Sequence, residues 1–436
     1  MGFIKLRYSS LMAFLFVLVM LPRPLVALGA PKMVNFLHFP VVALLSFIIA
    51  LNIKTVESKK LILGIAGFVT MVVFSAIYNY AGYINIILDV LILVEPFLFL
   101  IGMTAVEWKP VSISAFRRCL IFVGILHIFM AFYQKIILGL WGDDVEGLFV
   151  NMGAGSHLAG AVALAFGLYI FSMRVFSTVI RMCVFFASII VVFLSDAKQV
   201  ILVSLLSLVL LSLFKIKNYK VTLSYLATLV VFGGLGYYTI LLMYPSLTWL
   251  NPEIMVMAIE QKLSVFGIIV NSFDSIGGWF FGLGPGHSIG RVAWMLPEYQ
   301  YLMDLGATIS YVTQDIIDAN QSNWMSNSIT GSSLFSLMFS WAGIFGDFGF
   351  AGLLAYLYVW FLIWKYYSQA DLSRFFVLGI LIFGAVFSWI EEPGYILFIM
   401  AIIGLSWQEN QSLGGVYSFN NKKLNKAVYY AISTNS

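Results

Sequence analysis

Two short stretches of the chain combine positive charge with small or imidazole side chains in a way that suits an anionic substrate. The first is FFGLGPGHSIGR, from Phe280 to Arg291, and the second is SDAKQ, from Ser195 to Gln199. An arginine can grip a diphosphate through two parallel N–H donors, whereas a lysine acts as a point charge. Arg291 and Lys198 are therefore predicted to bind an anionic group, and His287 is a candidate general base.

Each of these residues also has an alternative interpretation in which it takes no part in catalysis or substrate binding. Asp196 is close enough in sequence to pair with Lys198, so the two charges could neutralise each other at a tight turn. Arg291 could contact lipid headgroups instead of a substrate. Gly284 and Gly286 could form a packed turn whose bare backbone approaches another helix closely, or approaches a ligand. The turn has neither the GK[ST] sequence of a phosphate loop nor the glycine spacing of a dinucleotide fingerprint.

A second loop, WGDDVEGLFVNMGAGSH from Trp141 to His157, adds candidate substrate ligands. Asp143 and Asp144 could orient a sugar hydroxyl or accept its proton, and solvated loop charge is the alternative. His157, like His287, is placed near a loop where an imidazole could act as a base.

Acidic residues within apolar segments are costly, which makes Asp89 and Glu95 functional candidates. They are six positions apart and so do not share one helical face, which argues against a shared proton relay. His38 and His127 are interpreted as satisfied structural residues. No pair of histidines has the spacing of a metal site, so no metal requirement is predicted.

The elements that carry these residues are predicted to be membrane-spanning helices. Of 436 residues, 61% are hydrophobic and only 10% are charged, which is far more apolar than a soluble domain. Apolar runs of about 20 residues recur throughout and favour helices over barrel strands. The fold class is therefore an all-α polytopic membrane protein. Twelve spans are predicted, at residues 9–29, 34–53, 61–80, 83–106, 117–138, 157–173, 177–195, 198–214, 221–243, 345–366, 374–390 and 394–408.

The distribution of basic residues supports this arrangement. With the N-terminus and the C-terminus in the cytoplasm, most lysines and arginines fall in cytoplasmic segments, as the positive-inside rule requires. The exceptions lie in spans, at outer span ends or in outer loops: Arg23, Lys32, Lys135, Lys198, Lys262 and Arg291. The formal net charge of +4 thus reflects cytoplasmic anchoring, and no nucleic-acid partner is expected.

Four regions follow from the predicted spans. Residues 1–243 hold nine helices, 244–344 form a large outer loop, 345–408 hold three more helices, and 409–436 form a cytoplasmic tail. Within the large loop, apolar spacing predicts a helix from Glu253 to Val270, and the segment from Ser332 to Trp341 is predicted to be a helix at the membrane interface.

The order of motifs resembles the bacterial O-antigen polymerases of the Wzy type and the related O-antigen ligases. The resemblance rests on GLFVN (Gly147 to Asn151), SDAKQ in a short hairpin, the GxGxG turn in a big loop, and SSLFSLMFSWAGIFGDFG from Ser332. It covers about residues 145 to 365, and its motifs are short.

This resemblance implies a glycosyltransferase C-like, metal-independent enzyme of the bacterial inner membrane without a cofactor. It implies a glycan transferred from undecaprenyl diphosphate on the outer side of the membrane, with a flippase and a chain-length regulator as partners. Lys198 stands where the family has a basic residue that helps bind the diphosphate, usually arginine, and Asn151 and Gln199 join the candidate substrate ligands. The family's histidine is expected near Ser332, where this chain has serine.

Three functions remain open on the sequence. The first is a polymerase of lipid-linked repeat units for O-antigen, capsule or exopolysaccharide, and the second is a ligase that transfers finished glycan to lipid A core. The third, from another class, is a lipid-glycan flippase or transporter, which would use charges at mid-membrane.

Overall fold

The computed structural model describes residues 2–50, 53–150, 154–215, 251–326 and 335–412. Regular structure in these ranges is helical, and none of their residues is in a strand, so the predicted all-α class is confirmed. Five helices are long and apolar enough to cross a membrane: Val56–Tyr78, Tyr83–Thr104, Pro110–Ile136, Gly155–Ser172 and Ser340–Tyr366. The predicted ninth span, 221–243, lies outside the described ranges, and the count of twelve stays a prediction.

The helices are numbered here in chain order. They are α1 Gly2–Met20, α2 Pro22–Ala27, α3 His38–Ala50, α4 Val56–Tyr78, α5 Tyr83–Thr104, α6 Pro110–Ile136, α7 Gly155–Ser172, α8 Thr178–Leu194, α9 Lys198–Lys215, α10 Pro252–Asn271, α11 Ile276–Phe281, α12 Arg291–Met295, α13 Gln300–Asp304, α14 Tyr311–Ser326, α15 Ser340–Tyr366, α16 Asp371–Val386 and α17 at 393–412.

Helices lie at most of the positions predicted from the apolar runs. Helices α3 to α9 match the second to eighth predicted spans, and α15 to α17 match the last three. The first predicted segment, 9–29, is wrong as one helix, because α1 ends at Met20 and a separate helix begins at Pro22. Proline has no N–H to continue the hydrogen-bond ladder of α1.

The large predicted loop, 244–344, begins its described part with a helix. Helix α10 confirms the prediction for Glu253 to Val270. It begins with Asn251, whose side chain accepts from the N–H of Glu253, followed by Pro252 at the first helical position. The interfacial helix predicted from Ser332 is wrong in its described part, because residues 336–339 are not helical and Phe339 is extended.

The centre of the bundle is α17. Its residues from Ile396 to Ile403 are at most 1% exposed, and they belong to one apolar core with α1, α5, α7, α15 and α16. A helix that is apolar on all sides is buried within a bundle. Aromatic rings fill the adjacent space, for example Phe97 packed edge-on against Trp360 at 5.3 Å between ring centroids.

The bundle has two chemically different ends. At one end Arg117 pairs with Glu409 at 2.8 Å, and the N–H of Trp108 donates to the side chain of Gln408 at 2.8 Å. Lys60 Nζ donates to the Tyr366 hydroxyl there at 3.0 Å. We call this end the basic end, and the end where α1, α4 and α6 finish and α5, α7 and α17 begin the cavity end.

Candidate functional site

At the cavity end, the glycine-rich turn at residues 282–288 closes around a carboxylate of α15. The N–H and the hydroxyl of Ser288 both donate to Asp347 Oδ1, at 2.8 and 2.6 Å, and the N–H of Gly286 donates to Oδ2 at 3.2 Å. Asp347 is 2% exposed. Carboxylates accept several N–H and O–H donors at once, so one buried aspartate can fix the whole turn.

The glycines of this turn are required by its shape and its close packing. Gly282, Gly284 and Gly286 all have positive φ, at 70°, 103° and 68°. A Cβ atom on Gly282 would lie 2.5 Å from the backbone of Gly346 and Asp347. Only glycine adopts this conformation and this approach without strain. The turn is therefore a packed junction with α15, which is the structural alternative that the sequence left open.

His287 is held inside the same junction. Its Nδ1 lies 3.0 Å from the carbonyl oxygen of Leu283, and its Nε2 lies 2.8 Å from the hydroxyl of Thr308. Burial lowers the pKa of this imidazole. Both ring nitrogens are thus engaged by protein groups, and His287 does not line the cavity described next.

Arg291 begins α12, directly after the turn, and is held by two consecutive glutamates between α16 and α17. Its N–H donates to Glu391 Oε2 at 2.5 Å, and its guanidinium forms an ion pair with Glu392. The guanidinium side chain is 12% exposed. Burial lowers the pKa of Arg291 to about 10, and the positive charge of Arg23 acts in the same direction. Arg291 therefore stays charged at neutral pH.

A cavity of about 730 Å³ lies beside Arg291. This volume falls within the range of roughly 300–1,000 Å³ that small-molecule sites occupy. Its walls come from the loops and helix ends of the cavity end. The lining residues are Val19, Met20, Pro22, Arg23, Val26, Asn35, Phe36, His38, Phe39, Ile92, Phe149, Ala154, His157, Arg291, Trp294, Met295, Tyr299, Ser336, Met338, Phe387, Ser388, Trp389, Glu392, Pro393 and Gly394.

The ionisable groups of this wall give it a positive character. Arg23 and Arg291 both line the cavity and are close enough to influence each other electrostatically, while Glu392 supplies one opposing charge. The guanidinium of Arg291 also lies 5.8 Å from the ring centre of Trp294. Because like charges held together in a protein interior repel, an anion bound between them would be stabilised.

Two histidines also line the cavity. His38, at the start of α3, lies with Nδ1 2.6 Å from Oε1 of Glu95 on α5. His157, on α7, stacks on Phe387 with 5.6 Å between ring centroids. His38 is buried and His157 is half-buried, and both line the cavity.

The predicted hairpin and the predicted short loop come together beside His157. Lys198 Nζ lies 2.9 Å from Asp196 Oδ2, so the predicted pairing of these two residues is confirmed. Ser156 donates to Asp143 at 3.2 Å. Asp143, Asp196 and Lys198 are all close enough to act electrostatically on His157.

The remaining predicted site residues are less closely tied to the cavity. Asp144 is exposed in a short 3-10 turn, and Gln199 is half-buried with no hydrogen-bond partner for Nε2 among the described residues. Asn151 and Ser332 lie outside the described residues. Thus Arg291 lines the cavity, Lys198 lies next to one of its lining residues, and His287 does neither.

A cluster of buried acids lies behind Arg291. Asp89 on α5 is close enough to interact electrostatically with Asp347 and Glu391, and all three are at most 3% exposed. Burial raises the pKa of Glu391 to about 7, against the effect of its hydrogen bond from Arg291. The expectation that Asp89 and Glu95 act separately agrees with their different partners.

Sequence reasoning missed several of these residues. His38 was interpreted as structural, Arg23 was given no role in the site, and the two glutamates that hold Arg291 were not among the candidates. The sequence signal for this site was the free-energy cost of a charge within an apolar segment. It identified Glu95 but not its partner His38. His127 does match its interpretation, since it bonds the carbonyl of Ala159 and the N–H of Leu148.

Comparison with known proteins gives no relative, since no protein family matches the chain and no curated protein is significantly similar to it.

Proposed function

We propose that the protein is a polymerase that joins oligosaccharide repeat units carried on undecaprenyl diphosphate, with the diphosphate held in the cavity beside Arg291. The observation that carries the proposal is the placement of Arg23 and Arg291 in the wall of one cavity, away from the basic end of the bundle. Arg291 is buried and Arg23 is half-buried, and two cations that act on each other in this way favour an anion bound close to both. The motif resemblance in residues 145 to 365 supports the same chemistry.

The reaction needs few protein groups, because the lipid diphosphate is already an activated leaving group. An acceptor hydroxyl attacks the anomeric carbon, the bond from that carbon to the diphosphate oxygen breaks, and the electron pair leaves with the diphosphate. The acceptor loses its proton to a base. The protein must orient the two sugars and stabilise charge that develops on the leaving group.

Arg291 suits the second task. A guanidinium carries five N–H donors, so an ion pair with Glu392 leaves donors for a phosphate. The same pair fixes the direction of the guanidinium, which reduces the entropy lost when a substrate binds. Lys198, next to His157, is the candidate for a second basic contact, and its pairing with Asp196 holds it at the hairpin.

The test is gel analysis of surface polysaccharide from a deletion strain complemented with variants. Arg291→Lys keeps a cation that can pair with Glu392 but loses the parallel N–H donors of the guanidinium. Arg23→Ala removes the other cation. Both are expected to shorten the product towards single units, while membrane blots show normal insertion. Lys135→Ala is the matched control, because this cation lies over Trp141 at the same end and does not line the cavity.

Other outcomes point to the other functions. Unchanged polymer in both arginine variants would overturn the proposal. Accumulation of long lipid-linked polymer in the deletion strain would indicate a ligase. Movement of the lipid-linked glycan across proteoliposome membranes without bond formation would indicate a flippase, for which the buried acids Asp89 and Asp347 would be the candidate charges.

A further inference from the structure

The pair formed by His38 and Glu95 has features that a purely structural histidine does not need. The two residues come from neighbouring helices, α3 and α5, and are 5% and 2% exposed. Only 2.6 Å separates Nδ1 of the imidazole from Oε1 of the carboxylate. The second carboxylate oxygen, Oε2, has no hydrogen-bond partner among the described residues. A buried ionic pair of this kind contributes little net stability, so stability alone does not explain it.

The other buried histidines show the contrast. His127 and His287 each have both ring nitrogens within hydrogen-bond distance of backbone or hydroxyl groups, and neither lines the cavity. His38 does line the cavity and is held by a carboxylate. His157 also lines it, but its Nδ1 has no hydrogen-bond partner in the described part of the chain.

The carboxylate determines which imidazole nitrogen can act as a base. An ionised carboxylate only accepts hydrogen bonds, so it favours the tautomer in which Nδ1 carries the hydrogen. Nε2 then keeps its lone pair. A base oriented by a third group is the general arrangement by which proteins activate a hydroxyl nucleophile. The imidazolium that forms would be stabilised by the adjacent negative charge.

We propose that His38 is the general base of the transfer reaction and that Glu95 is its positioning residue. This inference rests on the proposed function. As the acceptor oxygen forms its bond to the anomeric carbon, its proton passes to Nε2 of His38, and the diphosphate departs with the electron pair of the broken bond. The imidazolium later releases the proton to solvent. His38 would thus stand, on another helix, in place of the histidine that the motif resemblance expects near Ser332.

The test uses the full-length protein in lipid vesicles, with undecaprenyl-diphosphate-linked repeat units extracted from the deletion strain as the substrate. His38→Ala should lower kcat by roughly 10²- to 10⁴-fold, the usual contribution of a general base. The KM for the lipid-linked donor should stay within about threefold, because the arginines remain. Added imidazole should restore part of the activity of His38→Ala, since the cavity has room for it.

Glu95→Gln should lower kcat by about tenfold or more with the same small effect on KM, because the amide no longer stabilises the imidazolium. The matched control is Glu409→Gln, which alters a charged pair at the basic end and should leave kcat within about twofold. In each variant, competition between farnesyl diphosphate and the lipid-linked donor measures separately whether the diphosphate site is intact.

The outcomes separate the two proposals. Wild-type vesicles that form no glycosidic bond would overturn the proposed function itself. Active wild type with a fully active His38→Ala variant would overturn the assignment of the base. Loss of activity in His38→Ala without imidazole rescue and with lost farnesyl diphosphate binding would show a structural role and would equally overturn it. A selective loss of kcat with rescue would support it.

Discussion

Arg291 is fixed by two carboxylate oxygens, one from each of two neighbouring glutamates, rather than by residues of its own loop. Its backbone N–H binds Glu391 and its guanidinium binds Glu392, with Trp294 on one side. The two glutamates have different environments as a result. Glu392 lines the cavity and pairs with the guanidinium, whereas Glu391 accepts the backbone N–H and does not line the cavity. A carboxylate in that position is better accommodated when protonated.

The pH dependence of stability should report this difference. Burial raises the pKa of Glu391 to about 7 in the folded protein, against about 4.3 in an unfolded chain. The folded state then binds the proton more tightly, so this residue lowers stability progressively as the pH rises through that window. Glu391→Gln is expected to raise the melting temperature, by more at pH 8 than at pH 5. Thermal unfolding in detergent measures it, and an equal effect at both pH values would contradict the assignment.

At the scale of elements, the junction between the glycine turn and α15 sets the position of α12 and hence of Arg291. The turn contributes backbone donors, and α15 contributes one carboxylate and a close backbone surface. Lys262 of α10 likewise links separate segments. Its ammonium donates to the carbonyls of Ser336, which lines the cavity, and of Val386 at the end of α16, at 2.8 and 2.9 Å. The cavity is thus shaped by long-range polar ties between helices.

Gly282→Ala should disrupt the junction between the glycine turn and α15. The substitution places a Cβ 2.5 Å from backbone atoms of α15 and requires a left-handed conformation, so we expect a loss of roughly 2 kcal/mol or more in stability together with loss of activity. Gly267→Ala is the matched control, since its Cβ would meet nothing within 4 Å and it lies inside α10. That variant should be neutral or more stable by about 0.5–1 kcal/mol. Equal melting temperatures for the two variants would contradict this view of the turn.

At the scale of the whole molecule, the two ends of the bundle are expected to face opposite sides of the membrane. Arg117, Lys60 and the other cations of the basic end suit the cytoplasmic side under the positive-inside rule. The cavity end would then face outwards, which a reaction on exported lipid-linked sugars requires.

Cysteine labelling in intact cells checks this orientation. The free residues Cys119 and Cys183 are first replaced by serine. An impermeant maleimide should then label the Asp144→Cys variant in spheroplasts, because this position is exposed at the cavity end. The Lys59→Cys variant, exposed at the basic end, should be labelled only after permeabilisation. The reverse pattern would exclude a polymerase acting on the outer side.

Helix positions could be predicted from the sequence because an apolar environment requires long uninterrupted runs, and most of the predicted segments are helices. The site could be predicted only in part. Arg291 was identified by its type and by its place after the turn. The pairing of His38 with Glu95 could not be, since it joins residues 57 positions apart and depends on the rotation of two helices about their axes. The partners of Arg291 lie 100 positions further along the chain and have no local signature.

The late position of those partners in the chain has a consequence for biosynthesis. The glycine turn is made about 60 residues before Asp347, and Arg291 is made 100 residues before Glu391. During translation the turn is therefore made before the Asp347 that holds it, and Arg291 is made before α15, α16 and both of its glutamate partners. A chain truncated before Glu391 lacks both glutamates that hold Arg291 and the part of the cavity wall from Glu392 to Gly394. Activity should therefore require that synthesis has passed the start of α17.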